Sequence, residues 1–523
     1  MAVFELVIAL LLVGAALSAV ARRINAPYPA LLALAGAALA LLPDAPSIVL
    51  DPELALTLLV APVLLDAAFD SSPRDLKQNW RAVTGLALAA VGLTVVAVAA
   101  VARWLVPEMP WAAAVALGAI VAPPDAAAAT AVLRQLRPPH RILVILEGES
   151  LFNDASALLV YRLAVTAAMT GAFVGWGAVP MLAGVALGSI VLGAVLSRVV
   201  LYATRRIEDV PTAVIIQFLG TFGVWILAER LHLSGILTVV AFAILVARVA
   251  PDIMPARLRI QSYAVWDVVV FVLNVMAFML IGLQLKPILD RSTGSSLAGY
   301  ATGAAAICAT VIVVRIVWVM AYSAMARWRG ERLDRAASAV IAWCGMRGIV
   351  TLAAALALPD GGPATAFPHR DFILFTAFCV VLGTLVVQGL TVPPLMRVLK
   401  LEDDGSVERE VGIARAAAAR AGLASVDATG GDGEMVAFLR RKYAARLRRA
   451  EGTDGGADDA EASGWRELGT VQRRAQAAER RVVSELRASG VIGDDAFHRV
   501  EEELDWSEVN VDARQGSAPP TER

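Results

Sequence analysis

Charge is what this chain has least of. Only 18% of its 523 residues are Asp, Glu, Lys or Arg, and its mean hydropathy is +0.66, whereas soluble domains run near 25% charged. A soluble enzyme is excluded over most of the length. Cysteines number three, Cys308, Cys344 and Cys379, each inside an apolar run. That excludes a disulfide framework and leaves no zinc-binding spacing. Four histidines, His140, His232, His369 and His498, fall in expected loops or in the tail, so a membrane-embedded enzyme would lack its metal ligands. The net charge of −1 gives nucleic acid no foothold, and no nucleotide-binding loop calls for a cofactor.

What charge there is lies at one end. Of the 93 charged residues, 44 fall in the last 124 positions, which divides the chain into an apolar domain, 1–400, and an aqueous tail, 401–523. A bilayer core of about 30 Å requires roughly 17–25 apolar residues per helix. Spans are expected near 2–21, 27–42, 53–69, 83–104, 111–133, 142–170, 178–202, 211–229, 233–249, 264–285, 298–324, 336–357 and 372–396, about thirteen in all, the second and ninth short. The first lacks a basic n-region and a small-residue cleavage site, so it is expected to be a retained helix. Loops after odd-numbered spans hold 18 Lys and Arg, and those after even-numbered spans hold five. This alternation places the N-terminus outside and the tail in the cytoplasm. In the tail, residues 434–449 join apolar positions to six basic ones, which suits a solvated face near anionic lipid or a regulatory docking site. An acidic, glycine-rich linker and a second helical repeat at 468–487 follow.

An ionisable group at the centre of a span costs at least about 2.5–3.5 kcal/mol. Asp66, Asp125, Glu147, Glu149, Asp154, Arg162, Arg315 and Arg347 lie away from span ends, whereas Glu5 and Asp267 lie near them. The densest stretch, LEGESLFNDASALLVYR (146–162), stacks Ser150 on Asp154 at i, i+4, with Glu149 over Asn153 on the adjoining strip. Carboxylate and hydroxyl oxygens suit an alkali cation or a proton better than a transition metal. The Pro123-Pro124-Asp125 sequence breaks a helix beside an acid. Broken backbone at membrane depth survives where it is buried or lines a cavity, as at transporter ion sites. A matching break is expected at WCGMRGIVTLAAALALP (343–359), where Gly345 and Gly348 flank Arg347. A buried arginine needs a carboxylate, and spacing leaves open which one. The breaks fall in the fifth and twelfth spans. With the seventh span as a linker, two six-helix halves of opposite orientation result. The fold class expected is therefore an all-α polytopic membrane protein with inverted repeats, two broken crossing helices and a partly helical tail.

The segments PVLLDAAFD, VAPPDAAAA, LEGESLFNDASALLVYR, WCGMRGIVTLAAALALP and VVQGLTVPPLMRVLKL (386–401), in this order, resemble the cation:proton antiporter-1 family of bacterial sodium/proton antiporters and animal and plant sodium/hydrogen exchangers. The resemblance implies a homodimeric secondary transporter of the cell membrane, serving pH and sodium homeostasis, with Na⁺ and H⁺ as substrates and no cofactor. It implies that Asp154 binds cation and proton in turn, that Asn153 steadies the crossing of the broken helices, and that Glu149 and Arg347 form a buried ion pair. Ser150 and Asp125 would give oxygens to Na⁺, and Asp66 would contribute indirectly. Many bacterial members have Thr where this chain has Pro124, so a backbone carbonyl or a water is expected to replace that hydroxyl. Arg162 and Arg315 are expected to be structural. Two rivals have less in the sequence: a potassium/proton antiporter of the same fold, and an organic-solute symporter, for which polar donors are too few.

Overall fold

A computed structural model describes residues 2–451 apart from 25, 43–50, 172–177, 206, 208, 255, 292–296, 330–333, 361–365 and 429–432, and beyond 451 only residues 479, 482 and 485. The acidic linker and nearly all of 468–487 lie outside the described residues. Contacts divide the chain into two units, Met1–Ser406 and Val407–Arg523. No strand occurs among the described residues.

In the first unit the helices are α1 (Ala2–Arg23), α2 (Tyr28–Ala40), α3 (Pro52–Asp70) and α4 (Trp80–Leu105). Both α3 and α4 contain a π-helical segment, at Leu56–Val60 and Gly85–Ala90. Next come α5 (Trp111–Val121) and α6 (Ala126–Leu136), then α7 (His140–Thr170), α8 (Ala178–Thr204), α9 (Val210–Arg230), α10 (Gly235–Ile253) and α11 (Ala256–Leu283). The unit closes with α12 (Leu285–Arg291), α13 (Leu297–Trp328), α14 (Arg335–Trp343), α15 (Ile349–Leu356) and α16 (Arg370–Leu399). Each span expected from hydropathy coincides with a helix or a broken helix pair. Nine of the described helical segments, with α5 and α6 counted as one and α11 and α12 as one, are long and apolar enough to cross a membrane. Four segments stay outside that set for physical reasons: α2 and α10 are short, α7 carries the dense carboxylates, and α14 and α15 are separated by a break.

Burial is inverted relative to a soluble protein. Large apolar side chains such as Leu12, Val96, Trp104, Val195 and Leu219 face outward, as a lipid-facing surface requires, while polar groups gather inside. Small residues bring helices together in the interior. Gly36 of α2 and Gly282 of α11 meet backbone to backbone: a Cβ on Gly36 would strike the Met279 carbonyl, and one on Gly282 the Ala33 carbonyl. In α16, Pro393 and Pro394 sit inside a continuous helix, so the proline pair in that family-like segment does not interrupt it.

The second unit is described as a helical hairpin. Its helices are α17 (Ser406–Ala428) and α18 (Glu434–Glu451), the latter covering the basic stretch. Arg420 bonds Glu451 at 2.5 Å and Arg440 bonds Asp427 at 2.6 Å. The Tyr443 ring packs where Gly422 leaves room.

Candidate ion-binding site

The site begins with two failures of the helix. Prolines 123 and 124 cannot donate to the α5 ladder, so α5 stops at Val121 and α6 restarts at Ala126. In the other half, α14 stops at Trp343 and α15 restarts at Ile349 after Cys344, Gly345, Met346, Arg347 and Gly348 in non-helical backbone. Both breaks fall where the sequence places them, and they cross. The Asp125 N–H donates to the Met346 carbonyl at 2.7 Å. At Gly348 the approach is so close that a Cβ would overlap the Asp125 carboxylate.

Unpaired carbonyls freed by the first break are collected by donors from two other elements. Asn153 Nδ2 of α7 donates to the Pro124 carbonyl at 2.9 Å, so the carbonyl beside Asp125 already accepts one bond. The Arg347 guanidinium donates to the carbonyls of Val121 at 3.0 Å, Ala122 at 3.1 Å and Gly345, and the Arg347 backbone N–H donates to Thr384 Oγ1 of α16 at 3.1 Å. Arg347 therefore lies on the carbonyl end of α5, where the helix dipole favours a cation.

This corrects the ion pair that the resemblance implies. Glu149 does not pair with Arg347. It pairs with Arg315 of α13, in a bidentate contact of 2.5 and 2.9 Å. The Arg315 guanidinium also donates to the carbonyls of Ile341 and Cys344 at the second break. Glu149 is 1% exposed and Arg315 2%, so each neutralises a charge that the interior could not otherwise hold. The physical reason for the exchange is that Arg347 finds three carbonyls within the crossing itself, while the planar fork of Arg315 matches a carboxylate. Arg162, also expected to be structural, forms a half-exposed pair with Glu229 of α9 at 2.9 Å.

The adjoining strip of α7 faces a cavity. Asp154, Ser150 and Asp125, which the resemblance assigns to the ion, and Asp66, to which it gives an indirect part, line one cavity of 230 Å³ beside the crossing. Ser150 Oγ accepts from the Ala126 N–H at 3.4 Å, and Asp125 caps α6 by accepting from the Ala127 N–H at 2.9 Å. Asp125 thus sits at the positive ends of α6 and α15 together. Among the described residues the Asp154 carboxylate receives no hydrogen bond. It is 6% exposed and faces the cavity without a protein partner. Hard oxygens from two carboxylates and a hydroxyl form a donor set for a small monovalent cation or a proton.

Tyr28, Asp70, Thr130, Arg134 and Asn274 line the same cavity and were missed from sequence. Arg134 bonds Glu147 at 3.1 Å, which gives Glu147 a partner. Asp267 is also better placed than its sequence position implied. Since α11 starts at Ala256, Asp267 is well inside the helix. It lines a second cavity of 270 Å³ whose wall also includes Asp66 and Asp70. A polar residue at the end of a hydropathy window gave no signal of that depth.

Two broken helices crossing at mid-domain, with an unpartnered carboxylate facing a cavity beside them, define a membrane secondary transporter for a small cation. The family is specified by comparison. Residues 7–398 match the model of the sodium/hydrogen exchanger transmembrane family, and the chain belongs to that family. It is 31% identical to an uncharacterized Na(+)/H(+) exchanger of Mycobacterium tuberculosis, over 97% of this chain and 96% of that one. It is 32% identical to the sodium, potassium, lithium and rubidium/H(+) antiporter of Bacillus subtilis, over 76% of this chain and 62% of that one. The fold resembles that of the sodium proton antiporter MjNhaP1 from Methanocaldococcus jannaschii, with a TM-score of 0.60 at 17% identity, covering 76% of this chain and 98% of that one.

Proposed function

We propose that the chain exchanges cytoplasmic Na⁺ or Li⁺ for external H⁺ by alternating access, with Asp154 as the group that takes one ligand or the other. The observation that carries this reading is the unpartnered Asp154 carboxylate in a cavity shared with Asp125, Ser150 and Asp66. Deprotonated, it supplies an anionic oxygen to a dehydrated cation; protonated, it cannot. Asn153 occupies the place where a second acid would sit and is committed to the Pro124 carbonyl, so a single titrating group gives one proton per cation. Glu149 is neutralised by Arg315 and takes no part in the stoichiometry. The net charge moved is then zero, and a membrane potential, worth about 2.3 kcal/mol per charge per 100 mV, does not drive the cycle.

The basic loops after odd-numbered spans support a cytoplasmic tail and an external N-terminus in the cell membrane. A homodimer provides the scaffold against which the crossing helices move, and the tail regulates without supplying ion ligands. Potassium/proton exchange is the second reading, favoured by the name of the Bacillus relative.

Dye-reported proton flux in everted vesicles, with Na⁺, Li⁺, K⁺ and Rb⁺ added separately, tests the selectivity. A response to Na⁺ and Li⁺ alone supports the first reading, and an equal response to K⁺ supports the second. Currents on solid-supported membranes test the stoichiometry: a current that grows with imposed potential would exclude one-for-one exchange and point to Asp125 as a second carrier.

A further inference from the structure

On the face of the domain bearing the basic loops, two cavities adjoin away from the ion site. The smaller, of 190 Å³, is lined by Lys77, Asn79, Trp80, Arg81, Arg141 and Tyr322, among others. The larger, of 420 Å³, shares Trp80, Arg81 and Tyr322 with it, adds Arg329, and continues along Gly85, Leu88, Met325 and Ala326. The smaller compartment is polar and cationic, and the larger adds aromatic and apolar surface to Arg81 and Arg329. Among the described residues no carboxylate lines either one. The aromatic element is exposed: Trp80 is 55% accessible, with the Arg81 guanidinium 5.7 Å from its ring.

We propose that this pair of cavities binds the headgroup and upper acyl segment of an anionic phospholipid. The phosphate would lie among Lys77, Arg81, Arg141 and Arg329, and the first methylenes along Leu88 and Met325. Several observations favour a lipid over a soluble anion. Arg81, Arg141 and Arg329 stand at the ends of helices α4, α7 and α13, and Lys77 lies in the short helix Pro73–Gln78 that precedes α4, where headgroups lie. Trp80 and Tyr322 are residue types that prefer this interface. The cationic compartment adjoins one that adds the apolar surface of Leu88, Met325 and Ala326, which a free anion has no use for. Basic pockets between helices on the side rich in Lys and Arg are suited to such headgroups.

The site also touches the transport machinery. Its floor is the π-helical segment Gly85–Ala90, whose Ala87 carbonyl accepts from Ser156 Oγ at 2.7 Å, two residues beyond Asp154. A π-segment is a common functional irregularity, and here it connects lipid-facing surface to the ion-binding helix.

The test uses the full-length protein in detergent, titrated with dioleoylphosphatidylglycerol, dioleoylphosphatidylcholine or inorganic phosphate, with bound lipid read by native mass spectrometry and protection by thermal shift. Phosphatidylglycerol should be retained and protective where phosphatidylcholine is not. In Lys77→Ala/Arg329→Ala its affinity should fall by more than about tenfold, each basic side chain near a headgroup contributing about a factor of five. Arg22→Ala/Arg23→Ala, on the same face but outside the cavities, should retain the parent's affinity. Equal losses in both double variants would show only diffuse charge attraction and overturn the site. Protection by phosphate alone equal to that by the lipid would overturn the lipid assignment, as would parental binding by Lys77→Ala/Arg329→Ala.

Discussion

The two faces of α7 use the same kinds of side chain for opposite ends. On one face Glu149 and Asn153 are held by the protein: Glu149 by the two terminal nitrogens of Arg315, and Asn153 through its Nδ2 by the Pro124 carbonyl. On the other face Ser150 and Asp154, one position further along in each case, line the cavity. A buried carboxylate with a permanent cation is a structural part, because its charge is already balanced. A buried carboxylate without one must find a mobile partner. The 100° turn between adjacent residues is what separates the scaffold from the proposed binding site.

Substitutions can break this comparison, and the largest effect is expected at Asp154. Asp154→Asn removes the titrating group and almost no volume, so cation-driven proton flux in proteoliposomes should fall to the level of protein-free vesicles while the melting temperature stays that of the parent. Flux near the parent's would place the exchange elsewhere. Glu149→Gln should do the reverse. It strands Arg315 in a dry interior, a loss of about 3–5 kcal/mol, seen as a lower melting temperature and reduced yield. Replacing both partners, Glu149→Gln/Arg315→Met, should recover much of that stability, and failure to recover would mean the pair is not the main tie.

Gly348→Ala sharpens the comparison at the crossing. Its new methyl group must displace the Asp125 carboxylate, so the apparent affinity for the cation should weaken more than the thermal stability falls. Equal cation KM values for variant and parent would mean that Asp125 does not meet the ion. The smallest effect is expected for Arg162→Ala, on the same helix but half exposed and paired with Glu229. Pairs of that kind contribute about 0–1 kcal/mol, so melting temperature and flux should both remain close to the parent's. A large loss would extend the rigid scaffold to the C-terminal half of α7.

Much of this was legible in the chain before any fold. Hydropathy located the helices because a bilayer sets a fixed length for an apolar run. Prolines 123 and 124 located the first break, and Gly345 and Gly348 the second. The i, i+4 rule put Ser150 with Asp154 and Glu149 with Asn153, and both pairings hold in the structure. Tyr28, Asn274 and Asp267 left no comparable trace, since each is a single polar residue in an apolar run whose direction depends on the rotation of its helix.

The sequence by itself determined that the chain is a membrane protein with an acidic, twice-broken interior, since composition, helical period and proline chemistry are local properties. Only the tertiary structure decided which arginine neutralises Glu149. Arg315 and Arg347 are equally cationic and equally buried, and they lie 166 and 198 positions away along the chain. Their partners are chosen by how α13 and the second break approach α7 in space. Arg347 reaches the carbonyl end of α5 first, and the carboxylate is left to Arg315.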